Sequence, residues 1–188
     1  MTKPLTKLDV PQRHHFTVEE YFALAERGVL AERTELIEGD IYDVSPHSPR
    51  HRALTDIVLE NFKLVLRGRA TVFGQSTLAF EGWSPEPDIT VLAFDAKRYL
   101  ERQPTPTEIH LIIEVSDATL PRDRGVKLRS YAQQDIREYW IVNLVENVLE
   151  VYTQPQGERY LGHLAYTFED ALAPTAFPEE VRAWLQPL

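Results

Sequence analysis

The stretch IIEVSDATLPRDRGVKL, residues 112–128, decides the fold because it joins a buried strand to a helix and carries charge on both. Its apolar start runs into a lone carboxylate, Glu114, and then into a polar loop that contains a proline. The helix that follows opens with Asp123 and carries Lys127 one turn further along. A buried carboxylate needs a partner, and a lysine stem can lie along apolar surface while its ammonium group reaches the acid.

Helices are predicted from capping residues and from apolar positions three and four residues apart. Thr17 and Glu20 have the spacing of a capping box, in which side chains satisfy free backbone groups at the helix start. Ser48 precedes a proline, as is typical of a second helix start. The predicted helices cover residues 16–28, 45–68 and 120–134, with a short closing helix at 178–184.

Apolar runs rich in β-branched residues predict strands between these helices. Two short runs around Glu38 and Gly39 predict a hairpin over residues 34–45. A terminal strand is predicted before the closing helix, and the order of elements predicts an α/β protein with a central mixed β-sheet flanked by helices. We expect one domain over residues 1–188, with 1–15 as a flexible N-terminus. The longer runs that predict strands are 70–80, 87–94, 108–116, 137–144 and 148–154.

Composition limits the classes of protein to which the chain can belong. With 188 residues, 43% of them hydrophobic, it can bury a sizeable core. Cysteine is absent, which excludes disulfides, thiolate metal ligands and cysteine nucleophiles. No apolar run could span a membrane and no secretory signal is recognised, so we expect a cytoplasmic protein. The net charge of -9 argues against nucleic-acid packaging, although clustered acids that bind a metal give the same sign.

Two carboxylates are placed so that they could meet at one end of the sheet. Asp88 comes immediately before an apolar strand and Glu114 ends the next long one, so they converge if these strands are neighbours. Carboxylate oxygens are ligands that Mg²⁺ and Mn²⁺ take in proteins, and the main-chain carbonyl of Val115 could add a third. Lys127 would then stabilise charge that develops on a phosphoryl oxygen, or position the attacking water.

Three segments, ELIEGDIYDVSPHSPRH, PDITVL and IIEVSDATLPRDRGVKLRSYAQQDIREYWIV, occur in this order. Over about residues 17–152 they resemble the Uma2-like endonuclease family, a branch of the PD-(D/E)XK nuclease superfamily. In that resemblance Asp88 and Glu114 are the metal-binding acids. Val115-Ser116 fills the slot that holds x-Lys elsewhere, and Lys127 on the following helix is the matching lysine. Two further residues match recurring family positions and join the candidate site: Glu35 and His51.

The resemblance implies a restriction-endonuclease-like core and metal-dependent hydrolysis of phosphodiester bonds, with DNA as the expected substrate and Mg²⁺ or Mn²⁺ as cofactor. A homodimer is also expected, because nuclease domains of this size commonly need two copies to cut both strands. Two alternatives stay open. One is a nuclease-like fold kept as a non-catalytic binding or interaction protein, and the other is a nuclease that acts on RNA or branched DNA.

Each candidate residue also has a structural interpretation. Taken singly, Glu114 is a solvated acid at a strand end and Lys127 is a surface lysine; only their combination with Asp88 favours a site. Asp123 and Arg124 are interpreted as charges at a helix start, where the dipole favours an acid. The remaining histidines show no ligand spacing and receive no role: His14, His15, His47, His110 and His163.

Overall fold

The computed structural model of the protein describes residues 13–31, 33–44 and 47–186. Most of the segment expected to be a flexible N-terminus, 1–15, lies outside these residues. Within the part of the chain that the structure describes, no helix is long and apolar enough to cross a membrane.

A two-stranded hairpin stands apart from the main sheet. Strand β1 (Thr34–Ile37) pairs with β2 (Asp40–Asp43) in antiparallel register. The turn residues Glu38 and Gly39 have φ values of 52° and 82°, as the tightest hairpin turns require. An isolated bridge from Leu36 to Ser84 holds the hairpin against the segment that leads into the main sheet.

The main sheet has six strands in the order β3-β4-β5-β6-β7-β8. Neighbours are antiparallel except for β5 and β6, which are parallel. The predicted mixed sheet flanked by helices is therefore confirmed. The strand predicted over 70–80 is shorter than expected and ends at Gly74, because Gln75 adopts a positive φ of 45°. The bounds are β3 Ala70–Gly74, β4 Ile89–Ala93, β5 Ile109–Ser116, β6 Glu138–Asn143, β7 Val148–Gln156 and β8 Arg159–Thr167.

The first two helices begin where their capping residues predict. Thr17 and Glu20 form the capping box of the first, and Ser48 caps the second. The helix predicted over 120–134 is instead divided into three, with a π-helical turn (Asp123–Lys127) in its middle. The α-helices are α1 Val18–Glu26, α2 Pro49–Val65, α3 Leu120–Arg122 and α4 Leu128–Gln133.

The prediction of a closing helix over 178–184 is wrong. In the described residues after β8 the chain is irregular, with a bridge between Leu172 and Arg182. Trp184 is fully buried and stacks on Phe62, with ring centroids 4.0 Å apart. Asn61 of α2 donates to the carbonyl of Trp184 at 2.7 Å. Because a side chain satisfies this backbone group, the segment can cover the core without helical hydrogen bonds.

Apolar side chains cover both faces of the main sheet. One cluster packs α2 and the C-terminal segment against the sheet around Phe62 and Trp140. The other packs α4 and the hairpin around Tyr131 and Tyr139. Charged groups near the end of β5 are therefore surrounded by protein, where an ionised side chain requires a partner.

Candidate active site

The register of the sheet brings Asp88 beside Glu114. Strands β4 and β5 are antiparallel with Ile89 opposite Ile113, so the residue before β4 meets the residue after Ile113. The backbone N–H of Asp88 lies 3.4 Å from Glu114 Oε2, and that of Val115 donates to Asp88 Oδ2 at 2.9 Å. Both carboxylates are buried. The structure thus brings together the two acids that sequence reasoning paired, with Val115 in contact with one of them.

His51 reaches Asp88 from the first turn of α2. Its Nε2 lies 3.1 Å from Asp88 Oδ2, and its backbone N–H donates to the capping hydroxyl of Ser48. Burial alone would raise the pKa of Asp88, but hydrogen bonds from His51 and Val115 outweigh it and leave the pKa of this carboxyl below its ordinary value. Asp88 is therefore ionised at neutral pH, which metal ligation by a carboxylate requires.

Lys127 is buried among carboxylates. Its Nζ lies 2.9 Å from Glu114 Oε1, 2.9 Å from Glu35 Oε1 and 3.9 Å from Asp123 Oδ1. Desolvation alone would lower the pKa of Lys127, but the surrounding acids outweigh it and raise the pKa, so the ammonium stays charged. Burial raises the pKa of Glu114, while the charged ammonium of Lys127, 2.9 Å away, opposes the shift and favours the ionised carboxylate. The hydroxyl of Tyr131, one helical turn beyond the lysine, donates to Glu114 Oε1 at 2.9 Å.

Glu35 enters the site from the hairpin rather than from the main sheet. Its Oε1 accepts from the backbone N–H of Glu86 at 3.1 Å, in addition to its contact with Lys127. Its Oε2 lies 3.5 Å from a guanidinium nitrogen of Arg122. The hairpin therefore delivers a fully buried acid to a lysine that comes from a distant helix.

The π-helical turn directs Asp123 into the same site. Ser116 donates its hydroxyl to Asp123 Oδ2 at 2.7 Å, and Tyr139 donates to the main-chain carbonyl of Asp123 at 3.2 Å. The second bond satisfies a backbone group in the widened turn. Turns of this kind are rare and occur frequently at functional sites.

A chain of hydrogen bonds links Asp88 to the protein surface. Arg33 can only donate, so Nε2 of His47, 2.8 Å away, accepts from it and leaves the proton of a neutral His47 on Nδ1. Nδ1 of His47 therefore donates to Nδ1 of His51, 2.8 Å away. The proton of His51 is then on Nε2, which faces Asp88. Desolvation lowers the pKa of His47, in agreement with a neutral ring.

A cavity of about 200 Å³ gives access to these groups. It lies where the hairpin, the first turn of α2, the end of β5 and the π-helical turn meet. Arg33 and Arg122 contribute guanidinium groups to its wall. The wall also contains every residue that sequence reasoning assigned to the site: Glu35, His51, Asp88, Glu114, Val115 and Lys127.

The charges of the site fit a divalent cation. Glu35 Oε2 and Asp123 Oδ1 are buried and lack a hydrogen-bond partner among the described residues. Such an excess of buried negative charge is unfavourable without a further cation. Oxygen donors suit Mg²⁺ or Mn²⁺, while His47 and His51, each with a ligand atom within 4.8 Å of one from Asp88, add nitrogen donors. Four carboxylates of the site are buried, those of Glu35, Asp88, Glu114 and Asp123, and all but Asp88 lie within 3.9 Å of the ammonium of Lys127.

Sequence reasoning missed two members of this cluster. Asp123, interpreted as a helix-start charge, does begin the π-helical turn, but it is also buried and bonded to Ser116. His47, to which no role was given, lies 3.9 Å from Asp88 Oδ1. The available signal was spacing, because Asp123 precedes Lys127 by four residues and His47 precedes His51 by four, as side chains on one helical face do.

Comparison with known proteins relates the chain to a family and to solved structures, among them a crystal structure. The family model of Uma2, described as "Putative restriction endonuclease", matches residues 18–186. A crystal structure described as a putative nuclease belonging to DUF820, from Anabaena variabilis ATCC 29413, matches with a TM-score of 0.67 and 21% sequence identity. That match covers 91% of this chain and 99% of the other, and at this identity it shows the fold alone. No curated protein shows significant similarity to the chain.

Proposed function

The chain belongs to the Uma2 family, and on this premise we propose that it is a metal-dependent endonuclease that hydrolyses phosphodiester bonds, with DNA as its main substrate. The observation that carries the proposal is that four buried carboxylates and one buried lysine line a single cavity. A purely structural role gives no reason for this set, since buried charges without partners destabilise a fold.

Asp88 and Glu114 would hold the metal ion, together with the main-chain carbonyl of Val115. A bound Mg²⁺ or Mn²⁺ supplies Lewis-acid stabilisation of phosphoryl oxygens and lowers the pKa of a water that can act as nucleophile. The lowered pKa of Asp88 supports its part, because the carboxylate is ionised before any cation arrives. His51 orients Asp88 by donating to Oδ2, which keeps Oδ1 for another partner.

Lys127 would stabilise the negative charge that grows on the phosphoryl oxygens during attack. Its pKa is raised, so it acts as a fixed cation and not as a general base. Glu35, from the hairpin, and Glu114, from β5, each lie 2.9 Å from Nζ of Lys127. Glu35 is therefore a positioning residue that acts through the lysine.

Calorimetric titration of Mn²⁺ into the wild type and into Asp88→Asn tests the proposal, followed by cleavage of plasmid DNA. Asp56→Asn, an exposed acid on α2, is the matched control. We expect the wild type and the control to bind Mn²⁺ and to cut, and Asp88→Asn to lose at least about tenfold in Mn²⁺ affinity and all cleavage. If Asp88→Asn bound metal and cut DNA as fast as the wild type, the assignment of the site would be wrong.

A second candidate function is a non-catalytic binding or interaction protein, which the net charge of -9 favours. Metal binding without cleavage of duplex DNA, branched DNA or RNA would support this alternative. Cleavage of RNA or branched DNA alone would assign the substrate class differently and keep the same site. The expected homodimer stays a prediction, which sedimentation equilibrium tests directly.

A further inference from the structure

Arg122 is a cation of the cavity wall whose donors are largely unused. It ends α3, immediately before the π-helical turn, and its side chain is only 20% exposed. One guanidinium nitrogen lies 3.5 Å from Glu35 Oε2, which is longer than an ordinary hydrogen bond. Its Nε is buried without a hydrogen-bond partner among the described residues. A guanidinium has five N–H donors, so Arg122 retains the capacity to bind a further acceptor.

The other cations of the cavity are already engaged. Lys127 contacts Glu35 and Glu114 at 2.9 Å each. Arg33 donates to His47 at 2.8 Å and is more exposed, at 39% of its side chain. Of the basic side chains that the structure describes on this wall, Arg122 is therefore the one with the fewest close contacts to protein acceptors.

We propose that Arg122 binds a phosphate group of the substrate beside the metal-binding acids, an inference that rests on the proposed function. Four carboxylates repel a phosphate, so an anion that enters this cavity needs a cation in the wall as well as one bound by the acids. A guanidinium offers two parallel N–H groups that match the oxygens of a phosphate. Glu35, in loose contact with Arg122, keeps the side chain directed into the cavity until the phosphate replaces that contact.

The test uses thymidine 3′,5′-bisphosphate, which carries phosphates but no phosphodiester bond and therefore stays intact. Its binding to the whole protein is measured by calorimetry in Mg²⁺ for the wild type, Arg122→Gln and Arg122→Lys. Arg129→Gln is the matched control, because Arg129 is exposed on α4 and does not line the cavity. Melting temperature and Mn²⁺ affinity of each variant are measured separately.

We expect Arg122→Gln to weaken bisphosphate binding at least about tenfold, the usual loss for a hydrogen bond to a charged group. Arg122→Lys should recover part of the affinity, and Arg129→Gln should bind as the wild type. Mn²⁺ affinity should stay within about threefold in all four proteins, because Arg122 is not a metal ligand.

Two results would overturn the inference. One is a wild type that binds Mn²⁺ but not the bisphosphate, and the other is bisphosphate binding that is equal in the wild type and Arg122→Gln. A lower melting temperature with unchanged bisphosphate affinity would make Arg122 a structural partner of Glu35. Failure of the proposed function would give a different result: bisphosphate binding that depends on Arg122, without cleavage of any nucleic acid. That result would support the phosphate site and contradict the nuclease activity.

Discussion

His51 places Nε2 3.1 Å from Asp88 Oδ2, and a metal ion that displaced the proton between these atoms could take the nitrogen as a ligand, so this contact bears on the choice of metal. Mg²⁺ takes oxygen ligands almost exclusively, whereas Mn²⁺ also accepts imidazole nitrogen. We therefore predict that the wild type binds Mn²⁺ more tightly than Mg²⁺. His51→Gln should lose about tenfold in Mn²⁺ affinity and much less in Mg²⁺ affinity, as measured by calorimetry.

His163→Gln is the control for this prediction, because His163 is exposed and stacks on Tyr152 away from the cavity. Equal losses of Mg²⁺ and Mn²⁺ affinity in His51→Gln would contradict the prediction. They would mean that His51 only orients Asp88 and that its nitrogen is not a ligand.

Lys127 neutralises part of the buried negative charge, so its removal should destabilise the fold. Lys127→Met leaves Glu35 and Glu114 without a counter-ion, and breaking a buried pair on one side costs about 3–5 kcal/mol. We predict this loss in the free energy of unfolding, measured with urea and without metal. Saturating Mn²⁺ should recover part of it, because the bound ion supplies charge in the folded state only.

Lys97→Met is the matched control, since Lys97 is 70% exposed and pairs with Glu101 at the surface. Its free energy of unfolding should change by less than about 0.5 kcal/mol. A loss just as small in Lys127→Met would mean that the buried acids are protonated when the lysine is absent and that the charge balance assumed for the site is wrong.

At this scale the sequence supports some site residues better than others. Asp88 and Glu114 could be predicted to converge because each adjoins an apolar strand, and antiparallel pairing of neighbouring strands then brings their ends together. His47 and Asp123 adjoin no apolar strand, so the same argument does not place them in the site. Their positions in the site depend on a hairpin and a widened turn that no local pattern specifies, and isolated polar residues at helix starts are usually solvated.

Among the elements, the π-helical turn is anchored to the sheet on the side away from the cavity. Arg124 donates to both carboxylate oxygens of Glu150 on β7, at 2.8–3.1 Å, and to Glu146. Glu150 is buried and also accepts from Asn143 and Tyr152. This network holds the outer side of the turn while Asp123 and Lys127 point inward. It links the geometry of the site to strand pairing.

Glu150→Gln should weaken this anchor by about 1–3 kcal/mol at pH 7, the usual range for a lost buried hydrogen bond to a charge. Burial alone would raise the pKa of Glu150, but bonds from Arg124, Tyr152 and Asn143 outweigh it and lower the pKa below the ordinary value of 4.5. The stabilisation is therefore present above about pH 4.5 and is lost as the pH falls through the lower folded-state pKa.

Urea unfolding of the wild type and Glu150→Gln between pH 3 and pH 7, roughly the range in which this carboxyl titrates, measures the difference directly. The two curves should lie apart at pH 7 and approach each other at acid pH. Glu146 also has a lowered pKa and shares Arg124 with Glu150, so its titration contributes to the difference as well. A gap that is independent of pH would mean that Glu150 acts through packing and not through its charge.

Local patterns predict the helices of this chain better than its irregular elements. Capping residues identified the starts of α1 and α2, because a cap acts on its own first turn. The π-helical turn was invisible in the sequence, since its cause is non-local: Tyr139, on β6, bonds the carbonyl of Asp123. The prediction of a closing helix was wrong for a similar, non-local reason: Trp184 packs on Phe62, and its carbonyl accepts a hydrogen bond from Asn61.

Over the whole molecule, the order of elements and their apolar patterns were enough to predict a mixed sheet covered by helices. The two clusters of buried apolar side chains on either face explain why: strands β5 and β6 are covered on both sides and read as continuous apolar runs. Net charge is a property of the same scale. At -9 the chain repels nucleic acid at long range, so a nuclease built on it needs a local source of positive charge.

We predict that duplex DNA binding depends on a divalent cation. Without one, the buried acids of the cavity oppose the phosphate backbone, and on the described part of the cavity wall Arg33, Arg122 and Lys127 offset them. Fluorescence anisotropy with a labelled 16-base-pair duplex, at a length of about one and a half helical turns, should give at least about tenfold weaker binding in EDTA than in Mg²⁺. Sodium chloride keeps the ionic strength equal, because salt alone weakens such complexes.

A variant distinguishes two explanations of this metal dependence: neutralisation of the acids in the cavity, and a general effect of the metal on the fold. Asp123→Asn removes one of the repelling acids and leaves Asp88 and Glu114, the two proposed ligands, unchanged. Its binding to the duplex in EDTA should therefore be tighter than that of the wild type, while Asp56→Asn, at an exposed position, should change nothing. Binding of the wild type that is equally tight with and without Mg²⁺ would contradict the prediction, because it would locate the DNA contacts on a surface that the acids of the cavity do not influence.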